Sequence, residues 1–267
     1  MNTTADAAAS ALTYDAIARD LAPETRVELP ASRIKGWPRH FFFGIGLFCI
    51  LLAILGFAPS MVAYFIGEYH FPAIVHAHAV IMLGWLVLFT IQARLVQRGS
   101  LATHRRLGIA TATWAVLVWL AMGVATIVAL KRYDPDEMAF LVKPLLIQLG
   151  TMVVFPAFVI SAVIARRHAG WHKRLMALAT FVLVQAALDR MHWLPNEGLP
   201  MFWHHGVRLY VLLLLPLAVF DIATLRRIHP ATLTGAGVIV AMHGVVSFGW
   251  DNEGWNQIAR GFWMWLR

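Results

Sequence analysis

The chain has 267 residues, 60% hydrophobic and only 13% charged, with a mean hydropathy of +0.67. That excludes an ordinary water-soluble globule, in which about half the residues are apolar and about a quarter charged. The net charge of +8 would suit nucleic acid, but the basic residues flank apolar runs, so the charge is read as the positive-inside bias of a membrane protein and no nucleic-acid partner is expected.

Residues 1–36 come first, an Ala-rich stretch interrupted by Asp6, Asp15, Arg19, Asp20, Glu24 and Glu28 that lacks the apolar core of a secretory signal. It is expected to be a cytoplasmic tail, either irregular throughout or with a short interfacial helix near Leu12–Leu21. Apolar windows follow at Phe41–Ile66, Ile74–Leu95, Leu107–Leu130, Phe140–Ile164, Leu175–Leu194, Val207–Leu225 and Ala231–Trp250. Each is close to the ~20 residues a helix needs to cross a bilayer, so an all-α bundle of about seven transmembrane helices is predicted over 37–250, in one domain. Cys49, the one cysteine, lies in the first window and is read as packing; a disulfide framework or Cys-based cluster is excluded.

Basic residues cluster before the first window (Arg33, Lys35, Arg39), between the second and third (Arg94, Arg98, Arg105, Arg106), between the fourth and fifth (Arg166, Arg167, Lys173, Arg174) and after the sixth (Arg226, Arg227). All these fall on one side of a seven-pass chain, which places the amino terminus inside and the carboxyl terminus outside. The other side carries Glu68, Asp134, Asp136, Glu137, Glu197, Asp251 and Glu253, with Lys131 and Arg132 as basic exceptions. Pro59, Pro156 and Pro216 each remove a backbone donor and are expected to bend their helices. In 251–267, Trp255, Phe262, Trp263 and Trp265 mix with Arg260 and Arg267, predicting an amphipathic helix on the outer surface.

Twelve histidines are many for this chain, and the predicted topology divides them by depth. His40, His104, His168, His172 and His229 fall on the inner side; His70, His76, His78, His192, His204, His205 and His243 fall on the outer side. Residues three, four or seven apart share a helix face, which groups His78 with Met82, Trp85, Phe89 and Gln92, Gln185 with Asp189 and His192, and His243 with Ser247 and Trp250. Arg208 lies four after His204 and three after His205. Asp189 and Arg208 are expected to pair, because an isolated charge below the membrane surface is costly.

Imidazoles ligate haem iron, copper, non-haem iron and zinc, so His78, His192, His205 and His243 are the candidate ligands of one haem or non-haem transition metal near the outer face. Asp189 and Arg208 would orient those ligands or neutralise charge, and Trp85, Gln92 and Gln185 would contribute to the cofactor pocket. The other reading of the same residues is headgroup-level histidines making hydrogen bonds. No HExxH helix and no repeated HxxHH boxes of a membrane hydroxylase are present, and Gln92 stands where a second, inner haem would need histidine.

On the inner side, His104-Arg105-Arg106-Leu107-Gly108 and His172-Lys173-Arg174-Leu175-Met176 form a weak internal repeat. It reads either as a topology anchor or as a site for an anionic headgroup, a phosphate or the edge of a quinone. These two segments, with His76-Ala77-His78-Ala79, Trp85, Gln92, Asp221 and His229-Pro230-Ala231, resemble a widespread, largely uncharacterised family of bacterial multi-spanning membrane proteins, over most of 70–240. The resemblance implies a multi-pass protein of the bacterial inner membrane.

Two functions from different classes follow. One is a membrane redox protein or oxidoreductase using the histidine-ligated haem or metal, with a small apolar substrate or quinone. The other is a metal-free transporter or lipid-handling protein with a buried Asp/Arg/His pocket, its partner membrane lipid. A non-enzymatic assembly subunit is the third class weighed.

Overall fold

The computed structural model describes residues 36–68, 70–132, 138–191, 193 and 206–266, with backbone alone at 132 and 138–144. A 3-10 turn at Trp37–Arg39 leads into α1 (Phe41–Phe65), followed by α2 (Ala73–Gln97), α3 (Leu101–Arg132), α4 (Met138–Ile164), α5 (Ala169–Leu188), α6 (Gly206–Leu225), α7 (Pro230–Gly249) and α8 (Glu253–Leu266). There is no strand among the described residues. Six helices, α1 to α4, α6 and α7, are long and apolar enough to cross a membrane, and α5 is not among them.

The reason is where α5 lies. Twelve of its 20 residues are buried, against five of 25 in α1, and α1, α2, α4 and α7 all pack on it. A helix whose side chains meet protein on every face is under no pressure to be apolar towards lipid, so α5 tolerates Arg174, Thr180 and Gln185 in its interior. Lipid tails are as apolar as leucine, so association inside a bilayer relies on close contact, for which small residues are suited. Gly56 brings α1 onto the backbone of α5 at Ala187, and Gly235 of α7 receives Leu178; a Cβ at either would collide. Apolar side chains such as Ile109, Ile164 and Phe248 cover the outside.

Contacts between helix ends show that consecutive helices alternate in direction. Arg39, before α1, donates to the Gln97 carbonyl at the end of α2 (3.0 Å), and the His104 ring near the start of α3 lies edge-to-face with His172 near the start of α5 (6.1 Å). All the described basic links therefore gather at one end, here the basic end. At the far end, Trp263 of α8 donates to the Leu130 carbonyl (2.9 Å), and α8 buries Ala259 and Trp263 against Leu130 and Leu145.

The helices depart from the predicted windows in two informative places. The HRRLG-like segment lies inside α3, which begins at Leu101, and the HKRLM-like segment lies inside α5, which begins at Ala169. Arg105 and Arg106 reach outward and Arg174 turns inward to Asp221 while the backbone continues the helix, so hydropathy loses the first turns of both. At its other end α5 stops at Leu188, six residues short of the predicted Leu194. Asp189 is its C-cap, which corrects the reading of Gln185, Asp189 and His192 as one helical stripe. In α6 the residues Tyr210–Leu214 widen into a π turn just before Pro216, whose missing N–H interrupts the regular ladder. The predicted tail helix at 12–21 lies outside the described residues.

Candidate functional site

Both ends of α5 carry polar groups that an apolar bundle has to place. At the end far from the basic links, Gln185 donates to Asp189 Oδ1 (3.0 Å), and Arg208 of α6, only 7% exposed, donates through Nη1 to the Leu188 carbonyl (2.7 Å). Leu188 O is one of the carbonyls a helix end leaves without an intrahelical donor, and a guanidinium there also meets the negative end of the helix dipole. One turn deeper, the Tyr210 hydroxyl and His243 Nδ1 share a 2.7 Å hydrogen bond, with the His243 ring 1% exposed. Gly206 leaves room for the Tyr210 ring, and Tyr210 opens the π turn of α6. This end thus holds Gln185, Asp189, Arg208, Tyr210 and His243 on three helices.

Beside it, on the flank of α1, runs an open groove of about 550 Å³. Side chains from Leu55 to Ile66 line it together with Glu68 and Trp193. Arg190, two residues after α5 ends, lies over the Phe57 ring (4.7 Å) next to the groove, with Nη1 on the Ala186 carbonyl (2.6 Å). An apolar trough thus begins where the polar turn after α5 lies.

The basic end is built differently. Arg174 and Asp221 are both fully buried, with Arg174 Nε and Nη2 donating to Asp221 Oδ1 (2.8 and 2.5 Å). Asp221 Oδ2 accepts from the His229 backbone N–H (3.0 Å) and Thr232 Oγ1 (2.6 Å), and Arg174 Nη1 donates to the Gly170 carbonyl (3.0 Å). His229 Nδ1 accepts from the Ala231 N–H at the start of α7 (3.0 Å). A buried pair is favourable when its remaining lone pairs and protons are matched in this way. Together these bonds fasten α5, α6 and α7.

Next to the clamp, the Gln92 amide fits among groups of α3: with its oxygen towards Gly108 N and Thr111 Oγ1 (3.0 Å each), its nitrogen donates to His104 Nδ1 (2.6 Å). His172 Nδ1 donates to the Ala162 carbonyl (2.9 Å). Gln97 is bonded to His40 and Arg94, and Lys173 lies over the Phe42 and Phe220 rings (5.5 and 5.8 Å).

The residues proposed from sequence divide as follows. His78 is half-buried with Nδ1 on the Ala121 carbonyl (3.2 Å), in the seam between α2 and α3. His243 is bonded to Tyr210, while His192 and His205 lie outside the described residues. Among the described residues no three His, Cys, Asp or Glu side chains group closely enough to hold a metal ion. Trp85 is in the core, its Nε1 donating to Thr180 Oγ1 (3.2 Å) and its ring edge-to-face with Phe155 (5.1 Å). Gln92 belongs to the basic end and Gln185 to the far end. Arg208 donates to the carbonyl of Leu188, the residue before Asp189.

Sequence reasoning missed the Tyr210–His243 bond and the Arg174–Asp221 clamp. The clamp had a visible signal: Asp221 is the one acidic residue in the apolar stretch 207–225, and a carboxylate there demands a partner. Tyr210 had none, because its register depends on the π turn.

In comparison with known proteins, no family model, no curated protein and no solved structure matches this chain.

Proposed function

We propose that this protein is a metal-free, lipid-handling protein of the bacterial inner membrane, and that it holds an aminophospholipid at the outer end of α5. The carrying observation is the junction of an apolar groove with a charged rim. One face of α1 and Trp193 offer about 550 Å³ to an acyl chain, while Arg190 and Glu68 supply opposite charges for a phosphate and an ammonium. The buried cluster behind it, from Gln185 to His243, supplies the Asp/Arg/His pocket of this reading.

The topology that goes with it has seven crossings, the amino terminus cytoplasmic, the carboxyl terminus outside and α8 on the outer surface. The charge bias supports this, as does the length of α5: 20 residues rise about 30 Å, enough to reach both polar layers. The bacterial membrane family resembled by the HxH, HRRLG-like and HKRLM-like segments is consistent with that location. The metal-free reading rests on His78 and His243 standing apart, His78 in the α2–α3 seam and His243 on Tyr210 of α6, with no three His, Cys, Asp or Glu side chains grouped to hold a metal ion among the described residues.

The test uses phosphatidylethanolamine with a photoreactive acyl chain, in nanodiscs containing the full chain. Cross-links are expected in the peptide containing 55–66 and at Trp193, and Ala58→Trp should remove them without loss of folded protein. Labelling spread evenly around the bundle, or unchanged in Ala58→Trp, would overturn the lipid reading. A stoichiometric transition metal or a haem absorption band in the purified protein would overturn the metal-free part.

A further inference from the structure

The two segments of the internal repeat meet at the basic end, and neither the lipid groove nor the buried clamp uses their arginines. The links 98–106 and 165–173 contain Arg98, Arg105, Arg106, Arg166 and Arg167, all exposed, and no acidic residue. Asp221, the described carboxylate at this end, is fully buried under Arg174. The edge-to-face contact of His104 with His172 at 6.1 Å holds the links side by side. Each is fixed from its own side, His104 by the Gln92 amide and His172 by the Ala162 carbonyl. Directly along the helices from these arginines, Ile109 is 75% and Ile164 73% exposed, an apolar wall beside the charge.

We infer that the two links form one binding surface for a lipid with two phosphates, of the diphosphatidylglycerol class, one phosphate against each arginine group and the acyl chains along α3 and α4. Charge complementarity carries the choice. Two arginine groups on separate links, held side by side by the histidine contact, offer one cationic group to each of two phosphates joined by a short bridge. A lipid with a single phosphate engages one link and gains no advantage from the other.

The experiment returns delipidated full-length protein to vesicles containing either diphosphatidylglycerol or phosphatidylglycerol at equal phosphate, and measures retained lipid by native mass spectrometry. One two-phosphate lipid per chain is expected, preferred by at least about tenfold over the one-phosphate lipid. Arg105→Gln with Arg106→Gln, or Arg166→Gln with Arg167→Gln, should each bring retention down to the phosphatidylglycerol level. The same change at Arg226 and Arg227 should leave the preference intact. Equal retention of both lipids per phosphate, or equal weakening by all three arginine pairs, would overturn the inference, since either means diffuse attraction. Unfolding temperatures of the variants, expected to match the parent because these side chains are exposed, keep the comparison on binding.

Discussion

The two ends of α5 face the same physical problem and answer it differently. At the basic end, a charged pair is withdrawn completely into protein, and each carboxylate oxygen of Asp221 has a donor from α5, the α6–α7 link or α7. At the far end, the polar residues share contacts with helix carbonyls and with one another, and an apolar groove opens beside them. The first arrangement is a fastening, in which every bond joins one structural element to another. The second leaves a rim and a trough that a bilayer molecule can reach. Burial of charge by itself therefore does not identify a site; what separates the two ends is the apolar groove that opens beside one of them.

Breaking the clamp should have the largest effect. Arg174→Met leaves a buried carboxylate without its cation and should cost about 3–5 kcal/mol, with Asp221→Leu similar and the double replacement recovering most of the loss. Thermal unfolding in detergent checks it, and single variants as stable as the double would refute the clamp. Gly56→Leu sharpens the comparison from the other end, since it forces α1 off α5 at Ala187; about 1–3 kcal/mol of destabilisation is expected in the same assay, with the photo-label displaced. The smallest effect belongs to Tyr210→Phe. Losing the bond to His243 should cost about 1 kcal/mol, and the clamp should be untouched, seen as unchanged hydrogen-exchange protection at the start of α7.

Much of the fold was legible because lipid and water impose simple rules on composition. Six of the seven predicted windows correspond to helices long and apolar enough to cross a membrane, and the four basic clusters did mark one end of the bundle wherever they are described. The exception, α5, is instructive: its polar content, which lowers its apolar signal, is the consequence of a central position that no local window can register. The site was less legible. Helical spacing joined His78 with Trp85 and Gln92, yet the structure divides them among the α2–α3 seam, the core and the basic end, because a stripe running from 78 to 92 spans several layers of different depth. Spacing also joined Asp189 with His192 across the point where α5 ends.

By itself the sequence determined that this is an all-helical membrane protein and which helix ends lie together, since hydrophobic length and the placement of arginines are properties of the chain read locally. Only the tertiary structure decided which helix is enclosed by the rest, which carboxylate meets Arg174, and that Tyr210 meets His243. Those outcomes depend on where glycines let helices approach and where a π turn shifts the register, and both are set by contacts between residues far apart in the chain.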